Sequence, residues 1–252
     1  MSRTWDVTSS IMASTLRKWR GTNSSKCTVA PEKLIEFYDR EGCGRCRLVR
    51  EALTELNLDA QIYPVPSQGS RYRQQLKDIS GAEVIPFLYD PNTEKKVTGA
   101  GAIVKYLFSE YLSKEPPKML EENRLNLSRS EWASRVRGDH GVYAVPSKQP
   151  EAMLELYSFE SSPYSRLVRE RLCELEIPYI VRQLGKQQRA DMGPSNFRMH
   201  LGPYKPIPGT RRETFFKQYG NVQVPFLKDQ NTGSELFESA DILAYLDKTY
   251  AA

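Results

Sequence analysis

Cys43-Gly44-Arg45-Cys46-Arg47-Leu48-Val49-Arg50-Glu51 returns 119 positions later as Ser162-Pro163-Tyr164-Ser165-Arg166-Leu167-Val168-Arg169-Glu170. The likeness runs on in both directions. Upstream, Glu36 and Tyr38 match Glu155 and Tyr157. Downstream, at a spacing of 139, Pro86-Phe87-Leu88 matches Pro225-Phe226-Leu227 and Asn92-Thr93 matches Asn231-Thr232, while Ile103 and Tyr106-Leu107 match Ile242 and Tyr245-Leu246. Self-similarity at a fixed period is an internal duplication. The step from 119 to 139 places about 20 extra residues inside copy two. Both cysteines of the CxxC are serines in copy two, so the copies are expected to do different work.

Each copy reads as the same order of elements. Residues 33–39 form a short apolar run that predicts a strand. Residues 44–56 predict a helix with Leu48, Val49, Ala52, Leu53 and Leu56 on one face, and Arg47, Arg50, Glu51 and Glu55 toward water. A second strand over 59–65 and a polar helix over 70–79 follow. The turn Asp90-Pro91-Asn92-Thr93 joins two short strands as a hairpin, and 101–112 is a closing helix. Copy two predicts strand 153–159, helix 164–175, strand 179–184, a long irregular stretch over 185–220, a hairpin around Asp229–Gly233 and helix 239–248. The fold class is α/β, with the order β-α-β-α-β-β-α written twice. The expected division is an arm at 1–32, a first domain at 33–112, a linker at 113–152 with a helix within 119–137, and a second domain at 153–252.

Composition narrows the function classes. The 252 residues carry a net charge of +5, with 36 Lys and Arg against 31 Asp and Glu. These charges are scattered rather than striped, which argues against nucleic acid. No run of 18 apolar residues occurs, so no membrane span is expected. Four cysteines (Cys27, Cys43, Cys46 and Cys173) are too few for a disulfide-stapled scaffold, and a CxxC opening a helix points to redox chemistry in a reducing compartment. The arm is rich in Arg, Lys, Ser and Thr. It reads as a flexible or packing segment, or as the remnant of an organelle address.

Cys43 is the candidate nucleophile. A thiol at a helix amino end faces unpaired N–H groups and the positive end of the dipole, both of which favour thiolate. Arg40, Arg45 and Arg47 add positive charge. Cys46, one turn on, is placed to resolve a mixed disulfide. A zinc half-site is disfavoured, because no second CxxC exists and the chain has only His140 and His200. Cys173 reads as core filler. Ser162, with Pro163 after it, reads as a helix cap.

The order of elements, the CxxC after strand one, and Ile85-Pro86 and Val224-Pro225 before the hairpins resemble the thioredoxin-like fold. The closest likeness is to glutaredoxins in copy one and to the amino-terminal domain of glutathione transferases in copy two, over 33–112 and 153–250. The resemblance implies two tandem thioredoxin-like (βαβαββα) domains and no all-helical transferase C-terminal domain, whose lack speaks against conjugation activity. It implies Cys43 as nucleophile, Cys46 as resolver and Pro86 as a cis proline that leaves the Ile85 main chain to pair with glutathione or a peptide. Arg40 stands where a basic residue often precedes the motif. In copy two, Val224, Pro225, Glu238 and Ser239 match the glutathione-binding pattern, with Ser162 or Tyr164 facing the glutathione sulfur. Gly99 and Ala100 replace Glu238 and Ser239 in copy one and leave backbone amides for a carboxylate.

The expected function is a glutathione-linked thiol–disulfide oxidoreductase acting through copy one, with copy two a degenerate glutathione- or partner-binding module. Glutathione is the expected cofactor and disulfide-containing proteins the expected substrates. Gly44, where glutaredoxins often have proline, leaves open a [2Fe–2S] cluster carrier using Cys43 and glutathione. A non-enzymatic interaction subunit is the rival class. The insert at 185–220 carries Lys186, Arg189, Arg198, Lys205, Arg211, Arg212 and Lys217 against Asp191 and Glu213. It is read as a cover for the glutathione site, a dock for an acidic protein partner, or a solvated loop. The expected location is the cytoplasm or a plastid or other organelle stroma.

Overall fold

The computed structural model describes residues 3–25, 30–193 and 202–252. Cys27 and Arg198 lie outside them. Copy one contains β1 (Ile35–Asp39), α2 (Gly44–Glu55), β2 (Ala60–Pro64), α3 (Arg73–Ser80), β3 (Phe87–Asp90), β4 (Lys95–Thr98) and α4 (Ala100–Leu112). Copy two repeats it as β5 (Leu154–Ser158), α6 (Pro163–Glu174), β6 (Tyr179–Gln183), α7 (Arg211–Tyr219), β7 (Phe226–Asp229), β8 (Ser234–Phe237) and α8 (Ser239–Tyr250). Two further helices precede the copies, α1 (Arg3–Leu16) and α5 (Arg124–Arg135). The α/β order is the expected one. The stretch at 185–220 is not irregular throughout: α7 is the counterpart of α3, and both end on a left-handed glycine, Gly220 and Gly81. No helix among the described residues is long and apolar enough to cross a membrane.

The described strands join into one eight-stranded sheet in the order β4-β3-β1-β2-β6-β5-β7-β8. Its centre is the antiparallel pair β2–β6, with Ala60 opposite Val181, Gln61 opposite Ile180 and Ile62 opposite Tyr179. Gln61 and Ile180 are equivalent residues of the two copies, so the pairing has an approximate two-fold axis between them. This join removes two exposed strand edges, which otherwise invite aggregation. One continuous core lies under α2, α4, α6 and α8. The other face carries two separate small cores, Tyr38, Tyr72, Leu76 and Phe87 beneath α3, and Phe215, Phe226 and Leu184 beneath α7. Each hairpin is clasped alike. Asp90 accepts from Asn92 N at 2.9 Å, from Tyr106 at 2.7 Å and from Tyr111, and Asp229 accepts from Asn231, Tyr245 and Tyr250 in the same way.

The duplication extends further upstream than the motif suggested. At a spacing of 120, Ser10, Ala13, Ser14, Arg17 and Gly21 match Ser130, Ala133, Ser134, Arg137 and Gly141. The arm is therefore a packed helix, and each arm crosses to the opposite copy. Ser10 donates to Pro163 O at the start of α6 (2.8 Å), and Ser130 donates to Gly44 O at the start of α2 (2.7 Å). Arg17 and Arg137 then reach back to their own copies, in bidentate pairs with Glu51 and Glu170 whose closest contacts are 2.7 Å.

This arrangement corrects the exposure expected for α2. Arg47, Arg50 and Glu51 are 2%, 4% and 1% exposed, not solvated. Arg50 donates to Asp39 at 2.6 Å and to Glu160 of copy two at 3.1 Å. Arg169 answers with Glu41 of copy one at 3.0 Å and with Glu160 at 2.8 Å. Glu55 is not free in water either: its side chain is half-buried and pairs with Arg20 at 2.7 Å.

Removing one member of a buried ion cluster strands the others, at a cost of about 3–5 kcal/mol. Glu160→Ala should lose stability on that scale in urea denaturation, because Arg47, Arg50 and Arg169 all face it. Glu55→Ala, at the partly exposed edge of the cluster, should cost less, about 1 kcal/mol. Equal small losses would show that the charges at the join do not hold it.

Candidate active site and its thiol-less twin

Cys43 closes the loop after β1 and stands at the N-cap of α2 with extended backbone. Its carbonyl accepts the first helical bond, from Arg47 N at 3.1 Å. Its side chain is part-exposed, whereas Cys46, one turn on, is fully buried. The Cys43 thiol is lowered to about 5, first by the hydrogen bond from the Cys46 thiol, against the opposing effect of burial. The backbone N–H groups of Cys46 and Arg45 and the positive charge of Arg50 add to it. Cys46 moves the other way, pushed well up by burial and then by its bond to Cys43. Asp39, buried at the end of β1, is raised to about 6 by burial, with Arg50 opposing.

The cations that act are not the ones expected from sequence. Arg40 turns away and donates to Ser67 at 2.9 Å. Arg45 is exposed and pairs with Glu122 at 3.1 Å. Arg47 is spent on Glu160 and Ser134. Arg50, which the helical pattern assigned to solvent, lies inside and supplies the charge. Its position follows from the arms and the second copy closing over α2, a contact invisible in the local pattern.

Both loop prolines are cis, at Ile85-Pro86 and Val224-Pro225. Ile85 and Cys43 pack against the same core. The main-chain groups of Ile85 and Val224 make no hydrogen bond to any described residue. At the start of α4, Gly99 adopts a φ of 90°, its N–H bonds Pro86 O at 3.0 Å, and Ala100 is buried. The next amide, Gly101 N–H, is taken by the Glu122 carboxylate at 2.7 Å, the same carboxylate that holds Arg45. Gly44 is required by packing: a Cβ there would come within 2.9 Å of the Glu131 backbone of α5.

In copy two, Ser162 caps α6 by accepting from Ser165 N at 3.3 Å and from Ser165 Oγ at 2.9 Å. Glu238 is exposed with a φ of 65°, accepts from Gln223, and leads into the buried Ser239. A cleft of about 830 Å³ brings Ser162, Tyr164, Val224, Pro225 and Glu238 together. Ser239 is buried and does not line it. Sequence reasoning missed that α1 supplies part of the wall, through Ile11, and the turn after it a further part, through Trp19. The repeated Ser-x-x-Ala-Ser-x-x-Arg-x-x-x-Gly of the two arms is the signal that could have found it. Cys173 is buried in α6 and donates to Gly141 O at 3.4 Å, a packing role. Among the described residues no group of three or more His, Cys, Asp or Glu is placed to hold a metal ion.

A family model described as the glutathione S-transferase, N-terminal domain matches residues 37–116 and 156–252. The chain belongs to this family. The two matched segments are the two copies, so it is a tandem of thioredoxin-like transferase amino-terminal domains. Membership ties it to glutathione-related function in general. Searches of curated proteins and of solved structures found no match.

A thiol lowered to about 5 should be alkylated at a rate that stays flat from pH 8 to pH 6 and falls only near 5. Cys46→Ala removes the largest cause of the shift, so the midpoint should climb toward the ordinary thiol value of about 8.5. Cys46→Ser keeps an O–H donor and should leave the midpoint well below it. Iodoacetamide kinetics against pH read all three, and a wild-type midpoint at the ordinary value would refute the polarised pair.

Proposed function

We propose that this chain is a glutathione-linked thiol–disulfide oxidoreductase acting through Cys43 and Cys46, with copy two a glutathione-binding module that has no redox chemistry. The observation that carries the reading is the opposed pair: a part-exposed Cys43 held as thiolate by a buried Cys46 thiol, at a helix amino end. The Cys43 thiolate attacks one sulfur of a disulfide, and the other sulfur leaves as a thiolate and takes a proton. Cys46, losing its proton, then attacks the Cys43 sulfur, forms the Cys43–Cys46 disulfide and releases the second thiol. Two glutathione molecules restore the dithiol and leave as glutathione disulfide. The Ile85 main chain beside Pro86 offers the pairing edge for substrate, with Gly99, bonded to Pro86 O, and Ala100 at the start of α4 next to it. A free dithiol of this kind works in a reducing compartment.

For copy two, the support is the convergence of Ser162, Val224, Pro225 and Glu238 on one cleft. Ser162 is committed to its cap, so its contribution is positional. The insert supports a covering role: Lys186, Asp191 and Arg212 line the cleft, while Arg211 is tied to Asp59 and Lys217 to Glu213. That internal pairing leaves less charge for an acidic partner. A [2Fe–2S] carrier would need the Cys43 end of α2 open to a second subunit. Here α5 packs there against Gly44, and we set that reading aside.

The test uses the full chain. Cys43→Ser should abolish reduction of both protein disulfides and glutathione mixed disulfides. Cys46→Ser should keep the second activity, lose the first and accumulate glutathionylated Cys43 by intact mass. Glu238→Ala should weaken glutathione binding by about 1–3 kcal/mol in calorimetry and leave Cys43 alkylation unchanged. No reduction of either substrate by the wild type would instead favour a docking subunit with a vestigial CxxC.

A further inference from the structure

The two arm helices are built inside out. A helix packed on a domain ordinarily turns its apolar stripe to the core and its polar residues to water. In α1 the buried positions are Ser9, Ser10, Ala13 and Ser14, with Arg17 just beyond. The outward positions, at i, i+7 and i+11, are Trp5, Met12 and Leu16, which are 53%, 46% and 39% exposed. In α5 Asn126, Ser130, Ala133 and Ser134 are buried, while Leu125 and Trp132 are 59% and 56% exposed. At the spacing of 120, Trp5 matches Leu125 and Met12 matches Trp132. Both arms therefore turn a large apolar side chain outward at the same two places. The residues differ between the arms, although Ser10, Ala13, Ser14 and Arg17 beneath them are identical to their counterparts.

The five apolar side chains share one face. Both arms lie over helices of the same side of the sheet, α1 on α6 and α5 on α2. Arg17 donates to Asn126 O at 3.1 Å and Arg137 to Asp6 O at 2.8 Å, so the arms run antiparallel and side by side, with Met12 level with Trp132. None of the five lines the cleft beside Ser162. They form a platform of two adjacent helices, and an exposed apolar patch of this kind marks an interaction surface. Its charge has one sign. Lys18, Arg124 and Arg135 are exposed and form no ion pair with a described residue, and Arg135 lies over the Trp132 ring, 5.5 Å from its centre. Of the acids on the two helices, Glu131 lies on the flank against Gly44, and Asp6 is half-buried beside His140 at 3.5 Å.

We propose that this face seats the protein on an anionic lipid surface, with both arms lying in the plane of the headgroups. Tryptophan flanked by arginine and lysine suits that boundary: the rings reach the acyl edge, and the cations meet lipid phosphate. A second copy fits the face less well, because docking through it would set Lys18, Arg124 and Arg135 against their own kind. The contact is peripheral, and no segment crosses the bilayer. It is independent of the redox reading, since neither the thiol pair nor the cleft of copy two takes part.

Vesicle flotation and tryptophan emission on the full chain test it. The three tryptophans, Trp5, Trp19 and Trp132, all stand on the arms or in the turn after α1, and Trp19→Phe leaves only the two of this face. In that background the emission should shift to the blue with vesicles of phosphatidylcholine containing a quarter phosphatidylglycerol, and stay unchanged with phosphatidylcholine alone. Raising the salt from about 0.05 M to about 0.5 M should release most of the protein, because the screening length shortens about threefold. Met12→Ser combined with Leu125→Ser should weaken flotation at least tenfold. Arg124→Glu combined with Arg135→Glu should do so independently, and decides the matter if the apolar pair folds poorly. Equal binding to the neutral vesicles, or binding that survives both pairs of substitutions, would refute the proposal. So would a protein that floats with neither vesicle. A dimer in analytical ultracentrifugation that Met12→Ser with Leu125→Ser breaks, without any vesicle binding, would make the face an interface between copies and overturn the lipid assignment.

Discussion

Two carboxylates, Glu41 and Glu160, each reach an arginine of the opposite copy, Arg169 and Arg50. Everything else in the molecule depends on this crossing. A buried charge is tolerated only with partners at hydrogen-bond distance, and each of these carboxylates is shared between an arginine of its own copy and one of the other. The copies are therefore two halves of one body rather than beads on a linker. The β2–β6 pairing sets them edge to edge, and the arm helices close the charged centre from outside.

The frame is nearly symmetric while its chemistry is not. Glu41, Arg47, Arg50 and Glu51 all have identical counterparts in Glu160, Arg166, Arg169 and Glu170. Differences concentrate at one end of α2 and α6: Asp39 against Ser158, Cys43 against Ser162, Gly44 against Pro163, Cys46 against Ser165. The asymmetry extends to the arm that covers each site. Gly44 leaves room for the α5 backbone, and the charged pair Arg45–Glu122 sits beside it, whereas Ile11 and Trp19 hold open a cleft over Ser162. A symmetric scaffold thus carries a polarised thiol pair, one part-exposed and one buried, on one side and a ligand-sized recess on the other.

Much of the fold was legible because its signals are local. Strand runs, the leucine face of α2, the Asp-x-Asn-Thr hairpins and the prolines before them each depend on a few neighbouring residues, and each element lies within a few positions of its expected bounds. The failures share one cause. Arg47, Arg50 and Glu51 read as a solvated face because helical periodicity sees charge but not the partner that covers it. The arm read as a flexible or packing segment with no helix assigned, because its small and polar contact residues, Ser10, Ser14 and Arg17, make hydrogen bonds rather than an apolar stripe. Helix α7 was hidden inside an insert of mixed composition.

The sequence by itself determined the duplication, the β-α-β-α-β-β-α order of each copy and the identity of the thiol pair, since all three follow from spacing along the chain. Only the tertiary structure decided which arm covers which copy, which arginine acts on Cys43 and what surrounds Ser162. Those outcomes rest on contacts between residues more than a hundred positions apart, such as Arg50 with Glu160 and Ser10 with Pro163. No local pattern encodes which of two equivalent surfaces a helix will choose. That choice is made when β2 meets β6 and the buried charges find their partners.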